Sequence, residues 1–274
     1  MYAEITFPLH AQRGAAYLTA PNIPARHAFS TRLGGVSTGV LESLNLSVRR
    51  GDTPENVREN WRRLGAAAGI DLTRAVYARQ VHSADVRIAH AADAQPPEHE
   101  PRFTCDGFVT NEPGVALTVF MADCLPALLH DPAAGVIGAV HCGWRGSVAD
   151  ILGAAEDILG AAVAQMCALG AHPADIRAAI GPGIGACCFE VGPEVVAAAE
   201  ALLHEPLGAL VRPRADGKAL LDLKGVNARR LAQLGVPAEQ IAVSDACTMC
   251  RPDVFWSHRA TDGRRGVQAA VITL

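Results

Sequence analysis

The order of apolar and polar positions along the chain predicts both helices and strands. In the segment that follows Thr53, the apolar side chains Val57, Trp61 and Leu64 recur at helical spacing. Thr53 is a residue type that caps helix N-termini, and a proline follows it at the first helical position. We therefore predict a helix over about residues 54–68.

Two continuous apolar runs in the middle of the chain predict buried strands. Residues 115–121 end shortly before Cys124, and residues 136–140 end directly before His141. Strands and helices alternate only in part, and no internal repeat is evident, so we predict one α+β domain with mixed sheets over residues 1–274. Shorter patterns predict strands at 75–81, 176–180 and 266–273, and helices at 147–168, 193–203 and 222–235.

Composition and charge exclude several classes of function. The chain has 274 residues, of which 50% are hydrophobic and 19% are charged, as is ordinary for a globular protein. With a formal net charge of -4, the chain has no excess of positive charge to attract a nucleic acid, so we expect no nucleic-acid partner. The sequence has neither an uninterrupted apolar run of about 18 residues nor a signal-peptide pattern at its start. We therefore expect no membrane association and a cytoplasmic location.

The eight cysteines are expected to be free thiols, because a chain of this size in a reducing compartment needs no disulfides. Cys247 and Cys250 form a CxxC motif, but the sequence contains no second CxxC to complete a four-thiolate site. We interpret them as two thiols packed near a loop. A redox pair and a second zinc site are the alternatives.

Three residues in separate parts of the sequence carry the strongest chemical signal. His82, Cys124 and His141 offer two imidazoles and one thiolate, a set that suits zinc with a fourth position open to water or substrate. Their spacing matches no short zinc motif, but the predicted strand ends would bring Cys124 and His141 into one crevice. Taken singly, each also fits a structural role. Asp123 would point away from Cys124 in an extended segment, which favours a structural hydrogen bonder.

Two segments are candidates for holding an anion. Arg145 lies next to Ser147, where a predicted helix N-terminus would offer unpaired N–H groups and the positive end of a dipole. The other candidate anion-binding segment contains Arg32, Gly34, Gly35 and Ser37. Arg259 is a further cationic candidate. A surface turn accounts for Arg32 equally well on these grounds, and Arg259 has the same ambiguity.

Short strings spread in order along nearly the whole chain carry a family resemblance. They include TRLGGVS at 31–37, QVHS at 80–83, ADCLP at 122–126, HCGWRG at 141–146 and FWSHR at 255–259. The chain resembles the YfiH/DUF152 family, whose members are called laccase-domain proteins, polyphenol oxidases and, later, purine nucleoside phosphorylases. This resemblance implies a sandwich of mixed sheets flanked by helices.

The resemblance also implies a function and a set of site residues. Zinc would be held by the equivalents of His82, Cys124 and His141. The implied reaction is phosphorolysis of adenosine, inosine and S-methyl-5′-thioadenosine to the free base and a ribose 1-phosphate, with adenosine deamination as a second activity. Purine nucleosides and phosphate are then the expected partners. The candidate residues for phosphate and substrate are Arg32, Ser37, Arg145 and Arg259.

Three alternatives to this function stay open at the level of the sequence. Cys124 could act without a metal, as a nucleophile activated by His141 with His82 as a second partner, since the implied fold is similar to that of bacterial toxin deamidases that use a Cys-His pair. The chain could instead be a copper polyphenol oxidase, with copper in place of zinc, although the ten histidines include no HxH pair of the kind found in laccase copper clusters. The third alternative is a binding module that zinc stabilises without catalysis.

Overall fold

Two large β-sheets form the centre of the computed structural model, which describes residues 4–148 and 157–274. The strands, in chain order, are β1 (Glu4–Ile5), β2 (Leu9–Gln12), β3 (Ala15–Leu18), β4 (Arg26–Ser30), β5 (Ala78–Arg79), β6 (Val86–Ile88), β7 (Phe103–Thr104), β8 (Gly107–Thr110), β9 (Leu117–Met121), β10 (Leu125–Asp131), β11 (Val136–Cys142), β12 (Arg177–Ile180), β13 (Glu190–Val191), β14 (Val211–Pro213), β15 (Ala219–Leu221), β16 (Ile241–Ser244) and β17 (Gln268–Thr273).

One large sheet is mixed and the other is antiparallel. The seven-stranded sheet has the order β1-β16-β12-β10-β11-β8-β6, with parallel pairing of β1 with β16, β12 with β16, and β6 with β8. The five-stranded sheet has the order β2-β3-β4-β17-β9 and is antiparallel throughout. Two smaller sheets, β13-β15-β14 and β5-β7, lie beside them. The prediction of mixed sheets is confirmed.

Helices cover the outer faces of the two packed sheets. Phe29 and Ala270 of the five-stranded sheet share one buried cluster with Leu128 and Ala139 of the seven-stranded sheet, so the two sheets face each other. The helices, in chain order, are α1 (Pro54–Ala68), α2 (Trp144–Ser147), α3 (Ile158–Ala168), α4 (Pro193–Leu203) and α5 (Leu223–Gln233). Helix α1 packs on strands β3 and β4, whereas α3 and α5 pack on strands of the seven-stranded sheet. This is the layered sandwich that the sequence resemblance implies.

Helix α1 shows how local sequence and packing agree. The Thr53 side chain accepts a hydrogen bond from the backbone N–H of Asn56, which satisfies one of the unpaired donors of the first turn. Val57, Trp61 and Leu64 are fully buried against the outer face of the five-stranded sheet, as their spacing predicts. Within the described residues, no helix is long and apolar enough to cross a bilayer.

Most of the other predicted elements are present, with shifts at their ends. The strand predicted at 75–81 is reduced to the two residues of β5, because Val76 forms only an isolated bridge to Leu117. The strand predicted at 136–140 continues to Cys142, so His141 lies within β11 rather than after it. Helix α5 ends at Gln233, and the last strand begins at Gln268.

The helix predicted at 147–168 is wrong at its start. Ser147 is the last residue of α2, and Val148 leaves the helical region at φ -124° and ψ 52°. Helix α3 begins separately at Ile158, where the Asp157 carboxylate accepts hydrogen bonds from two backbone N–H groups of the first turn. The remainder of the predicted helix, residues 149–156, lies outside the described residues.

Candidate active site

Cys124 lies where the chain passes from one sheet to the other. Strand β9 belongs to the five-stranded sheet and β10 to the seven-stranded sheet, and Cys124 is in the short connection between them. Asp123, directly before it, has a φ of 82°, a conformation that costs energy for a residue with a side chain. Its carboxylate accepts hydrogen bonds from Thr248 Oγ1 at 2.6 Å and from the backbone N–H of Arg259 at 2.7 Å. The prediction that Asp123 is a structural hydrogen bonder is confirmed.

The two histidines approach Cys124 from different elements. His141 lies near the end of β11 and is buried, whereas His82 follows β5 and adopts a φ of 64°. A Cβ atom added at Gly143 would lie 2.6 Å from the His82 ring, so only glycine leaves room for the imidazole there. A glycine one residue beyond β11 therefore lets the rings of His82 and His141 come together.

Asp106 fixes both histidines and is fully buried. Its carboxylate accepts hydrogen bonds from the backbone N–H groups of Val81, His82 and Ser83 at 2.8 to 3.1 Å. The Ser83 hydroxyl donates to the same carboxylate at 2.9 Å, and His141 Nδ1 lies 2.8 Å from it. This bonding directs Nε2 of His141 away from Asp106, because Nδ1 is already engaged.

The donor atoms of His82, Cys124 and His141 lie within 4.8 Å of one another. Cys124 Sγ is 3.6 Å from His82 Nε2, and the two imidazole rings are nearly perpendicular with centroids 4.9 Å apart. A sulfur and a nitrogen bound to one tetrahedral zinc would be separated by about 3.5 Å. The donor set and its spacing therefore fit a zinc ion, and the carboxylate behind His141 is the outer partner that metal-bound histidines commonly have.

The charges of this cluster are strongly coupled. Burial opposes ionisation of the Cys124 thiol, but the nearby His141 imidazolium and hydrogen bonds from both histidines lower the pKa of the thiol to about 6. Burial opposes protonation of His141, but Cys124 and Asp106 together raise the pKa of His141 to about 9. Without a metal, Cys124 and His141 therefore form a thiolate-imidazolium pair near neutral pH.

A cavity of about 280 Å³ opens onto the three residues. Tyr77 and Phe120 are the aromatic residues in its lining, and Arg49, Arg50 and Arg265 are the positively charged ones. Flat aromatic surface and concentrated positive charge favour a ligand that combines a planar ring with an anion.

Arg265 is the buried cation of this cavity, with an exposed fraction of only 9%. One of its terminal nitrogens donates to the carbonyl of Gly266 at 3.0 Å, and the other lies 3.5 Å from His258 Nδ1. Among the described residues no acceptor meets its Nε. Burial and the charge of Arg50 lower the pKa of Arg265 to about 10, so the guanidinium stays protonated at neutral pH. A buried charged donor without a full set of partners is suited to bind an anion.

The four residues that the sequence suggested for phosphate are not in the lining of this cavity. The Arg32 guanidinium donates to the backbone carbonyls of Glu42 and Pro252 and stacks on the Trp256 ring at 4.0 Å. Ser37 is buried and donates to the Asp52 carboxylate at 2.6 Å. Both side chains therefore hold loops together.

Arg145 and Arg259 lie on exposed surface. The Arg145 side chain stacks on Trp144 in the four-residue helix α2, and Ser147 is the last residue of that helix rather than the first residue of one. Arg259 contacts the site through its backbone N–H, which bonds to Asp123.

Sequence reasoning missed Asp106 and Arg265 as site residues. A single carboxylate between the apolar positions Cys105 and Phe108 could have indicated Asp106, because a charge in a buried segment needs partners. Arg265 follows another arginine in a polar turn, and nothing in that local pattern distinguishes the buried residue from the exposed one.

Comparison with known proteins agrees with this architecture. A family model described as "Multi-copper polyphenol oxidoreductase laccase" matches residues 26–274. A purine nucleoside phosphorylase of Deinococcus radiodurans is 42% identical over 262 residues, covering 95% of this chain and 94% of that protein. Adenosine deaminase RL5, from an unknown prokaryotic organism, is 36% identical and covers 88% and 90%.

A solved structure supports the same assignment. The crystal structure of YlmD from Geobacillus stearothermophilus superimposes with a TM-score of 0.84 at 34% identity, covering 96% of this chain and 98% of that one. Sequence and fold thus agree over nearly the full length. The chain belongs to the laccase-like family that is also called YfiH or DUF152.

Proposed function

We propose that this protein is a zinc-dependent purine nucleoside phosphorylase with adenosine deamination as a second activity. It has one domain over residues 1–274 and acts in the cytoplasm. The observation that carries the proposal is the buried Arg265, which lines the same cavity as His82, Cys124 and His141. Relatives named purine nucleoside phosphorylase and adenosine deaminase support the choice of nucleosides. The proposed substrates are adenosine, inosine and S-methyl-5′-thioadenosine.

In this proposal the metal would be held by His82, Cys124 and His141, which offer three ligands and leave one position open. When bound, zinc would supply a Lewis acid that polarises an oxygen atom of water or substrate. Asp106 orients His141 and keeps the loop around His82 in its left-handed conformation. Zinc is preferred to copper because the described site offers one compact three-donor set rather than the many imidazoles of a laccase cluster.

Phosphorolysis needs an oriented phosphate next to the ribose. A phosphate oxygen forms a bond to C1′, the bond from C1′ to the purine nitrogen breaks, and the purine leaves with the electron pair and takes up a proton. Arg265, with Arg49 and Arg50 at the cavity wall, would bind the phosphate and hold it against the ribose. The aromatic surfaces of Tyr77 and Phe120 would pack on the planar base.

One alternative has an observation in its favour. The thiolate-imidazolium pair of Cys124 and His141, oriented by Asp106, is the arrangement of a Cys-His hydrolase that needs no metal. The two functions differ in their dependence on metal. Full activity of metal-free protein would establish the hydrolase and contradict the zinc proposal.

The first prediction concerns the reaction. Purified protein incubated with adenosine or inosine should release adenine or hypoxanthine only when phosphate is present, because phosphate is the attacking group. Chromatography of bases and nucleosides measures this directly. Conversion of adenosine to inosine without base release would contradict the phosphorylase and leave the deaminase. No reaction with either nucleoside would contradict both activities.

The second prediction concerns Arg265. Arg265→Gln should raise the KM for phosphate by about 10- to 100-fold, since a hydrogen bond from a charged group contributes about 1.5–3 kcal/mol. Initial rates at varied phosphate concentration measure the effect. Arg264→Gln, at the exposed neighbouring arginine, is the matched control and should leave this KM unchanged.

Arg265→Lys keeps the charge and distinguishes charge from packing. It should retain part of the phosphate affinity that Arg265→Gln loses. A folded Arg265→Gln variant with the wild-type KM for phosphate would show that the anion binds elsewhere.

The third prediction concerns Asp106. Asp106→Asn should weaken zinc binding by about 10- to 100-fold, because the amide cannot stabilise the His141 ring as a carboxylate does. Competition with a chromophoric chelator measures the affinity. Asp85→Asn, at an exposed carboxylate nearby, should bind zinc as the wild type does. Equal zinc affinity of a folded Asp106→Asn variant and the wild type would contradict the assigned role.

A further inference from the structure

Four cysteines converge in a second cluster that shares no residue with His82, Cys124 and His141. Cys187 and Cys188 follow the turn at Gly185, and Cys247 and Cys250 are the CxxC motif of a second loop. All four sulfur atoms lie within 4.8 Å of one another. Cys187 and Cys188 lie about sixty residues earlier in the chain. In the fold they supply the two further thiols that the CxxC motif needs for a four-thiolate site.

The sulfur distances match metal ligands more closely than disulfides. Cys250 Sγ is 3.5 Å from Cys187 Sγ and 3.4 Å from Cys188 Sγ. A disulfide bond is about 2.05 Å long, whereas two sulfurs on one tetrahedral zinc are about 3.8 Å apart. We propose that Cys187, Cys188, Cys247 and Cys250 form a second metal site, a closed zinc tetrathiolate with a structural role.

The surroundings of the four cysteines suit bound thiolates. The backbone N–H of Gly185 donates to Cys247 Sγ at 3.2 Å, the kind of outer hydrogen bond that orients a metal ligand. A Cβ atom added at Gly185 would lie 3.2 Å from the Cys247 side chain and 3.4 Å from Cys187 Sγ, so a larger residue would press on two ligands at once. The backbone is therefore shaped around these sulfur atoms.

A buried cation, Lys224, lies close to one of the four cysteines. Lys224 is 1% exposed and donates to the backbone carbonyls of Ser244 and Ala246, just before Cys247. Its ammonium group interacts electrostatically with Cys247. When four thiols bind zinc they release four protons and leave a net charge of about -2 on the site, which this ammonium would partly balance.

The two cysteine loops also support the first site. Thr248, within the CxxC motif, donates to the Asp123 carboxylate, and the backbone N–H of Ile184 donates to the Asp123 carbonyl at 2.8 Å. Zinc bound by all four cysteines would link these loops and so hold Asp123, next to Cys124, in its left-handed conformation. With four protein ligands the second site has no open position, so its role is structural rather than catalytic.

Metal analysis by mass spectrometry, on protein purified under reducing conditions, measures the number of zinc ions bound per chain. The wild type should carry two equivalents, one for each group of ligands. The double variant His82→Ala/Cys124→Ala, which leaves the four cysteines intact, should keep one equivalent whether or not the proposed enzymatic function is correct. A zinc-free double variant that is still folded would overturn the proposal.

The reciprocal variant is Cys250→Ser, which should lose one equivalent and melt at a lower temperature. Cys167→Ser, at an exposed thiol outside both groups, is the matched control and should keep two equivalents. If Cys250→Ser does not fold, cobalt substitution of the double variant gives the same information. The thiolate-to-cobalt absorption of a tetrathiolate supports the site, and its absence contradicts it.

Thiol mapping provides a separate check. Alkylation of the reduced, native wild type should leave all four cysteines protected until a chelator is added. A disulfide that joins Cys250 to Cys187 or Cys188 in this protein would overturn the zinc site in favour of a redox pair.

Discussion

The bonding of the Asp106 carboxylate is the constraint on which the rest of the site depends. This group is fully buried, and such a carboxylate is tolerated only when its oxygens are fully paired. Backbone N–H groups around His82 and the His141 ring supply the partners. Burial opposes ionisation, but the His141 imidazolium and these backbone donors lower the pKa of Asp106. The same bonds stabilise the charge and fix the positions of two donor residues.

The packing of the two sheets explains why Cys124 lies close to His82 and His141. Cys124 lies in the connection that joins the five-stranded sheet to the seven-stranded sheet, so its position depends on how the sheets face each other. His82, one of the three donors, and Asp123, next to Cys124, adopt left-handed backbone conformations. The hydrogen bond that the His82 backbone N–H donates to Asp106 and the one that Thr248 donates to Asp123 compensate the local strain. Rigid sheets and buried carboxylates therefore fix the positions of the donor atoms.

The sequence predicted those features that a single segment determines. Helix α1 and the central strands follow from local periodicity, and the residue types of His82, Cys124 and His141 indicated a metal. Features that depend on burial or on distant contacts were missed. Arg265 differs from its exposed neighbour only in its tertiary surroundings, and Cys187 is brought to Cys250 by folding over 63 residues. The prediction of a helix that begins at Ser147 is wrong, because the chain leaves helical geometry at Val148.

The most direct test of the central claim is crystallography at the zinc absorption edge. Crystals grown from protein that has not been exposed to chelators should show an anomalous peak within bonding distance of His82, Cys124 and His141. With phosphate present, density for the anion should lie next to Arg265. The account would be contradicted by crystals of active enzyme that show no metal at these three residues and a phosphate ion bound outside the cavity.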